Sequence, residues 1–483
     1  MKNKTFGVCA GLLALGLVGL GAPASHARGR LAAGGAGSGS ETEATSDVSL
    51  PAIPPASSPA NVGQRTDALK ADLADVNTEL AGKKGQEPIP SAAEVPEDQA
   101  SPAPAAAPAA QAAPPAAAPM PLSSPSMTAP LSTAVPHEFS AGPFGKIDVT
   151  GILSGMLWTE GDHVPGDSPS HYDLTNGQVF VQKTTGWWQF YLEGGAYNIP
   201  AIGTTFLSTG ETTKDIYGPF PVGYLKLVKG NFNVEIGELP TLIGAEYTFS
   251  FENMNIERGL LWAQEPAISR GIQLNETYKK LTLAFSWNDG FFSNRYTSLS
   301  GSLAWAFNAS NTLSFVASGN AGAYARVVTN LSSPTPLLQN NSEVYNLIYT
   351  YTHGNLLVTP YYQYTTVPTN TNIFIPMGAH TNGGALLVNY NFKHGFSLAA
   401  RPEYIKSSGS AAIGSANLLG YGSGTGAFSF TVTPTYSKDG FFIRGDFSIV
   451  HVTNFASATG FAFGPTGANT NQPRGVIEAG FLF

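Results

Sequence analysis

The chain has 483 residues and a formal net charge of −8, with 12% charged residues, 11% aromatics and 54 glycines. Soluble domains carry about 25% charged residues, so this composition argues against one, and the acidic balance excludes a basic nucleic-acid binder. A single cysteine excludes a disulfide framework and clustered cysteine metal ligands.

Met1 to Lys4 is basic, Phe6 to Ala22 is apolar, and Ala22-Pro23-Ala24 and Ser25-His26-Ala27 are small-x-small cleavage sites. The pattern predicts a secretory signal peptide over 1–27. Cys9 lies inside it, so the exported chain has no thiol. Residues 28–140 are rich in Ala, Pro, Ser and Gly, and Ser101 to Pro121 is nearly all Ala and Pro. Such a segment buries too little apolar surface to offset its ordering entropy, which predicts a disordered periplasmic leader. Leu69, Leu73, Val76 and Leu80 form a two-heptad seam, a short helix over 66–81. The leader reads as a passive linker, as an aid to homotrimer formation or as a contact to the cell wall. No later stretch approaches 18 uninterrupted apolar residues, so a membrane role requires a closed barrel.

Residues 141–483 read as that barrel. Strands are expected over 146–158, 175–184, 187–196, 219–229, 231–239, 269–277, 280–288, 296–308, 311–320, 343–352, 355–365, 383–392, 395–405, 426–437, 441–452 and 474–483. Seven connections are tight and carry turn chemistry, such as Lys393-His394-Gly395 and Lys438-Asp439-Gly440. The other eight are long and rich in Ser, Thr, Asn, Gly and Pro. Alternating short and long connections predict an all-β fold, a transmembrane antiparallel up-and-down β-barrel of about sixteen strands, with fourteen to eighteen compatible.

The faces alternate consistently. Leu281, Leu283, Phe285 and Trp287 share one side with the equivalent apolar residues of other strands, and Thr282 and Ser286 the other. The apolar side is assigned to lipid and the polar side to water. A sixteen-stranded barrel is wide enough for an aqueous channel. Inward parity collects Glu193, Lys226, Glu235, Arg401, Glu403, Arg444, Asp446, Arg474 and Glu478. These either set a transverse field across water or form salt bridges that stiffen the wall. From Glu138 onward 22 acids and 17 bases leave a net of about −5, which predicts a weak cation preference. Phe180, Tyr191, Tyr224 and Tyr361 share the inward parity and would suit a sugar track or simple space filling.

The last strand places Ile477, Ala479, Phe481 and Phe483 on one face. A terminal strand ending on an aromatic resembles the C-terminal insertion signal of Gram-negative outer-membrane barrels. That resemblance implies handling by periplasmic chaperones and the barrel-assembly machinery, and a final setting among outer-membrane lipid and lipopolysaccharide. Arg401-Pro402-Glu403-Tyr404 and Glu265-Pro266-Ala267-Ile268-Ser269-Arg270-Gly271-Ile272 make the region from about 144 to 483 similar to the OmpL-like β-barrel porins. The resemblance implies a pore for small hydrophilic solutes and a homotrimer. The connection from about Pro240 to Ile268 is third among the long ones, the place where porins commonly fold a loop inward. By that likeness Glu246, Glu252, Glu257, Arg258 and Glu265 are candidates for a constriction, and 251–262 could form one or two helical turns.

No Ser-His or Asp-His pattern of a barrel hydrolase is present, so no catalytic residue, cofactor or metal is assigned. Asp162, His163, Asp167, His171 and Asp173 cluster in the first long connection, a set that would suit a divalent cation but is read here as an exposed polar loop. A general diffusion porin is the leading expectation. A channel for sugars or small anions, or a structural barrel tethered to cell wall through the leader, are the alternatives.

Overall fold

The period-two alternation from residue 146 onward builds an antiparallel cylinder. In the computed structural model the described residues are 131, 136–322, 328–330, 333–335 and 337–483. The signal peptide expected over 1–27 and the heptad helix over 66–81 lie outside them. The barrel strands are β1 (Lys146–Glu160), β2 (Ser170–Lys183), β3 (Trp188–Tyr197), β4 (Val222–Lys229), β5 (Phe232–Pro240), β6 (Ile268–Tyr278), β7 (Leu281–Asn288) and β8 (Ser298–Asn308). They continue with β9 (Asn311–Asn320), β10 (Glu343–His353), β11 (Leu356–Val367), β12 (Ala379–Asn391), β13 (Phe396–Ser407), β14 (Gly426–Lys438), β15 (Phe441–Thr453) and β16 (Asn471–Leu482). Each pairs with its chain neighbours. β16 also pairs with β1, from Leu482 opposite Ile152 to Arg474 opposite Glu160, which closes the cylinder. Closure removes the exposed edge that lipid would otherwise leave unsatisfied.

All sixteen expected strands are present, and their ends differ where sequence signals are weak. β2 begins at Ser170 and not 175, because Ser170 to Asp173 is too polar for its pairing with β1 to show as apolar alternation. β4 starts at Val222 because Pro219 and Pro221 cannot donate ladder hydrogen bonds. The tight turns use the residues that tolerate positive φ, as at Asp439 (φ 51°) and Gly440 (φ 83°). Leu283, Phe285, Trp287, Phe428 and Phe430 stand outward and exposed, whereas Ser286, Ser429, Thr431 and Thr433 are buried on the inner side.

A further strand, His137–Ser140, pairs with Lys146 to Val149 of β1 in line with β16, just beyond its end. It falls inside the range expected for the leader, where the composition carried no strand signal. Between the two, Phe483 exchanges backbone hydrogen bonds with Gly151 at 2.6 and 2.9 Å. The Phe483 ring lies over Gly151, where a Cβ would stand 2.5 Å from it, so a larger residue would push the ring aside. Phe481 packs outward on Phe441 with ring centroids 5.3 Å apart.

Candidate functional site

The connection between β5 and β6, Thr241 to Ala267, turns into the lumen, and every residue from Thr241 to Leu261 is buried. A polar loop survives such burial only if its backbone groups find partners. Asn253 supplies several. Its Oδ1 accepts from Tyr247 N at 2.7 Å, and its Nδ2 donates to Tyr247 O at 3.1 Å and Phe249 O at 2.6 Å. These bonds favour an irregular path. Two short 3-10 turns, Ser250–Glu252 and Trp262–Gln264, stand where one or two helical turns were expected.

The barrel wall supplies the rest, and the predicted inward charges are its anchors. On β13, Arg401 bonds the Glu246 carboxylate and donates to Glu257 O at 2.7 Å. Glu403 lies 3.2 Å from Arg401 and accepts from Leu260 N at 3.2 Å. On β15, Arg444 donates to Asn253 O at 2.9 Å, and Asp446 accepts from Glu257 N at 2.8 Å. On β16, Arg474 pairs with Glu257 at 2.7 Å, and Glu478 pairs with Arg444 at 2.7 Å. Neutral anchors continue around the wall. Asn346 of β10 accepts from Gly244 N at 3.1 Å, Gln363 of β11 donates to Leu261 O at 3.0 Å, and Thr433 of β14 accepts from Asn255 at 2.6 Å. Gly259 is required where Glu403 and Glu246 converge, since a Cβ there would stand 2.2 Å from one carboxylate and 2.7 Å from the other.

The five loop candidates therefore have different surroundings. Glu246 and Glu257 are ion-paired to the wall. Arg258 folds back on the loop, donating to Asn255 O at 3.0 Å and Thr248 O at 3.2 Å. Burial lowers its pKa to about 10. Glu252 accepts from Phe249 N at 3.1 Å, and burial raises its pKa to about 7. Glu265 accepts from the Tyr361 hydroxyl, and burial raises its pKa to about 8 despite that bond.

The remaining inward charges sit apart from the loop's ionic anchors. Glu193 accepts from Gln178 at 2.5 Å and from Tyr191 at 3.1 Å. Lys226, partly exposed, pairs with the buried Glu235 at 2.8 Å. Phe180, Tyr191 and Tyr224 stack in sequence, with centroids 6.4 and 5.7 Å apart. Phe180 and Tyr191 are buried, however, and Phe251 of the loop covers Phe180 at 5.4 Å. The first-loop acids and histidines disperse: Asp162 accepts from Asn469, Asp173 caps Thr209 N, and Asp167 pairs with His171 at 2.9 Å.

Two anchors escaped the sequence reading. Glu160 pairs with Arg474 at 2.7 Å. It continues the inward parity of Ile152, Ser154, Met156 and Trp158, and extending β1 by two residues would have found it. Leu131 is buried in the cluster that holds Phe180, Tyr191 and Phe251, and its N–H lies 3.5 Å from Phe251 O. A lone leucine within the Pro-rich leader gave no local signal. The opposite wall is of another kind. β7 to β9 turn Ser286, Asn288, Ser300, Ser302, Ser314 and Ser318 inward, with no charged residue among their inward positions.

Residues 146–483 match the family model described as beta-barrel porin-2, OmpL-like. No curated protein matches the sequence. Among solved structures, a loop L8 deletion mutant of the Vibrio cholerae outer-membrane protein OmpT aligns at 12% identity, covering 70% of this chain and 99% of that one, with a TM-score of 0.47. An anion-selective porin from Comamonas acidovorans aligns at 13% identity over 70% of this chain and 99% of its own, with a TM-score of 0.46. Salmonella typhi OmpF in complex with daunomycin aligns at 11% identity over 72% and 100%, with a TM-score of 0.45.

Proposed function

Because this chain belongs to the OmpL-like beta-barrel porin-2 family, we propose that it is a Gram-negative outer-membrane porin passing small hydrophilic solutes and ions by passive diffusion. The observation that carries the reading is the lumenal loop, bonded to the charged arc of β13, β15, β16 and β1 and facing an uncharged wall at β7 to β9. In this reading water and solute pass beside the loop, on the side of the lumen away from the charged arc. Glu246, Glu252, Glu257, Arg258 and Glu265 set the narrowest section by holding the loop's position. The wall charges act mainly as anchors, since an ion pair dried by contact with the loop contributes little field to the water path. The weak cation preference then comes from the overall acidic excess.

The chain performs no catalytic step in this reading. A homotrimer in lipopolysaccharide-containing membrane, exported through a cleaved signal peptide and assembled on the Phe481/Phe483 strand, completes it. A specific sugar channel is the second reading, and the burial of Phe180 and Tyr191 counts against a track there.

Single-channel recording of the refolded full chain in a planar bilayer, with reversal potentials under a salt gradient, tests the proposal. Ohmic steps with slight cation preference are expected. Silence from a heat-modifiable, folded barrel would overturn it, and block by one solute would favour the specific channel.

A further inference from the structure

On the outer surface the strand register arranges side chains in rows. Tyr362, Gly384, Tyr404 and Phe428 lie side by side across β11 to β14. Gly384 interrupts an otherwise bulky row, and the tyrosines flanking it are about half exposed. A slot therefore opens between two aromatic walls. The next row toward the tight turns is Pro360, Leu386, Pro402 and Phe430, all apolar. The row toward the long connections is Tyr364, Asn382, Lys406 and Gly426. Two adjoining cavities, of about 400 and 540 Å3, share Tyr362, Gly384 and Tyr404. One reaches His380, Lys406 and Ser408. The other is bounded by Leu313, Leu347, Leu386 and Phe428.

The polar end is a set of donors. The Tyr362 hydroxyl donates to Asn382 Oδ1 at 2.7 Å, which leaves the Asn382 amide nitrogen for another acceptor. Ser408 Oγ accepts from His380 N at 2.9 Å, so its own hydrogen is available. The His380 ring rests against Tyr364, with centroids 5.6 Å apart. Lys406 is exposed and lies opposite Gly426, which gives its ammonium room. Glu403 borders the apolar cavity, but its carboxylate is held in the lumen by Ser429 at 2.8 Å and Arg401 at 3.2 Å. The nearest outward carboxylate by register is Glu343, two strands from His380, and it accepts from Tyr345 at 2.8 Å.

We propose that this slot seats a phosphorylated lipid of the outer leaflet, its phosphate among Lys406, Asn382 and Ser408 and one acyl chain along Gly384 and Leu386. A phosphate presents several acceptor oxygens to a cation and neutral donors at once. A lysine near a membrane surface contributes about 1 kcal/mol toward an anionic headgroup, or roughly five-fold in retention. The slot's polarity fixes the lipid's orientation, because donors stand only at its long-connection end.

Native mass spectrometry of the full chain in detergent tests this, with diphosphorylated lipid A and its dephosphorylated form as probes. The unaltered chain should retain the diphosphorylated lipid about five-fold better. Lys406→Gln should remove that difference, and Gly384→Leu, which fills the slot on the outer side, should lower retention of both. Equal retention of both lipids by the unaltered chain, or an unchanged difference in Lys406→Gln, would overturn the proposal. So would a Gly384→Leu chain that dissociates an oligomer yet keeps its lipid, since the face would then belong to a second copy. Heat modifiability verifies folding, and the two-lipid comparison on the unaltered chain decides even if a variant fails to fold.

Discussion

The two sides of the lumen solve opposite problems with the same strand geometry. The arc from β13 through β15 and β16 to β1 carries Arg401, Glu403, Arg444, Asp446, Arg474, Glu478 and Glu160, each buried. β7 to β9 carry serine and asparagine at equivalent inward positions. Ser300 bonds Ser318 at 3.0 Å, and Asn288 bonds Ser286 at 2.9 Å. Buried charge is costly unless fully paired, so the arc is stable only with the loop's carboxylates and carbonyls in place. The serine wall is uncharged and bonds largely within itself, leaving the Ser302 hydroxyl without a partner among the described residues, and makes no such demand. A loop with four acids therefore settles on one side, and the difference between the walls decides where it lies.

Breaking the charged side should have the largest effect. Arg401→Ala leaves Glu246 and Glu403 facing each other in a dry interior. The expected loss is about 3–5 kcal/mol of folded stability, read as a lower heat-modifiability midpoint, with noisier and larger conductance as the loop detaches. An unchanged midpoint would mean that the arc does not hold the loop.

Leu131→Ala removes a buried side chain from the Phe180/Tyr191/Phe251 cluster and should cost about 2 kcal/mol or more. The loop should then be cut faster by protease in the otherwise intact barrel. Equal cleavage rates would show that Leu131 contributes nothing to loop position.

Acidity offers a reversible version of the same break. Glu252 and Glu265 have pKa values raised by burial to about 7 and about 8, against ~4.3 for an exposed glutamate. A raised carboxyl pKa favours the packed loop fully below about pH 4, and that benefit is lost progressively as pH rises toward 8. Loop noise in single-channel records should therefore increase from pH 5 to pH 8.5. Glu265→Gln should flatten the upper part of that rise, and a rise unaltered by the substitution would remove Glu265 from the account.

The smallest effect on stability belongs to the serine wall, where Ser300 bonds Asn288 at 3.2 Å and Ser318 at 3.0 Å. Ser300→Ala removes these neutral bonds and should lower the heat-modifiability midpoint by only about 1 kcal/mol, whereas Ser300→Asp should shift the reversal potential toward stronger cation selectivity. No shift in potential would place the ion path elsewhere in the lumen.

Much of this molecule was legible in the chain alone. Period-two alternation needs only neighbouring residues, so strand number, inward parity and the Phe481/Phe483 strand all followed from local pattern, as did the position of the tight turns at Gly, Asn and Asp. Strand ends at the long connections were less legible, because polar segments such as Ser170 to Asp173 pair without an apolar signature. The inward parity of Arg401, Glu403, Arg444, Asp446, Arg474 and Glu478 was readable, but their partners were not. Arg401 meets Glu246 across 155 positions, and Arg474 meets Glu257 across 217. Only closure of the barrel brings such residues within a hydrogen bond, and only burial under the loop changes them from solvated charges into paired anchors. Sequence alone determined the cylinder, since lipid requires every backbone group to pair with a neighbouring strand. Tertiary structure decided where the loop lies inside it, because that depends on which distant charges would remain unpaired without it.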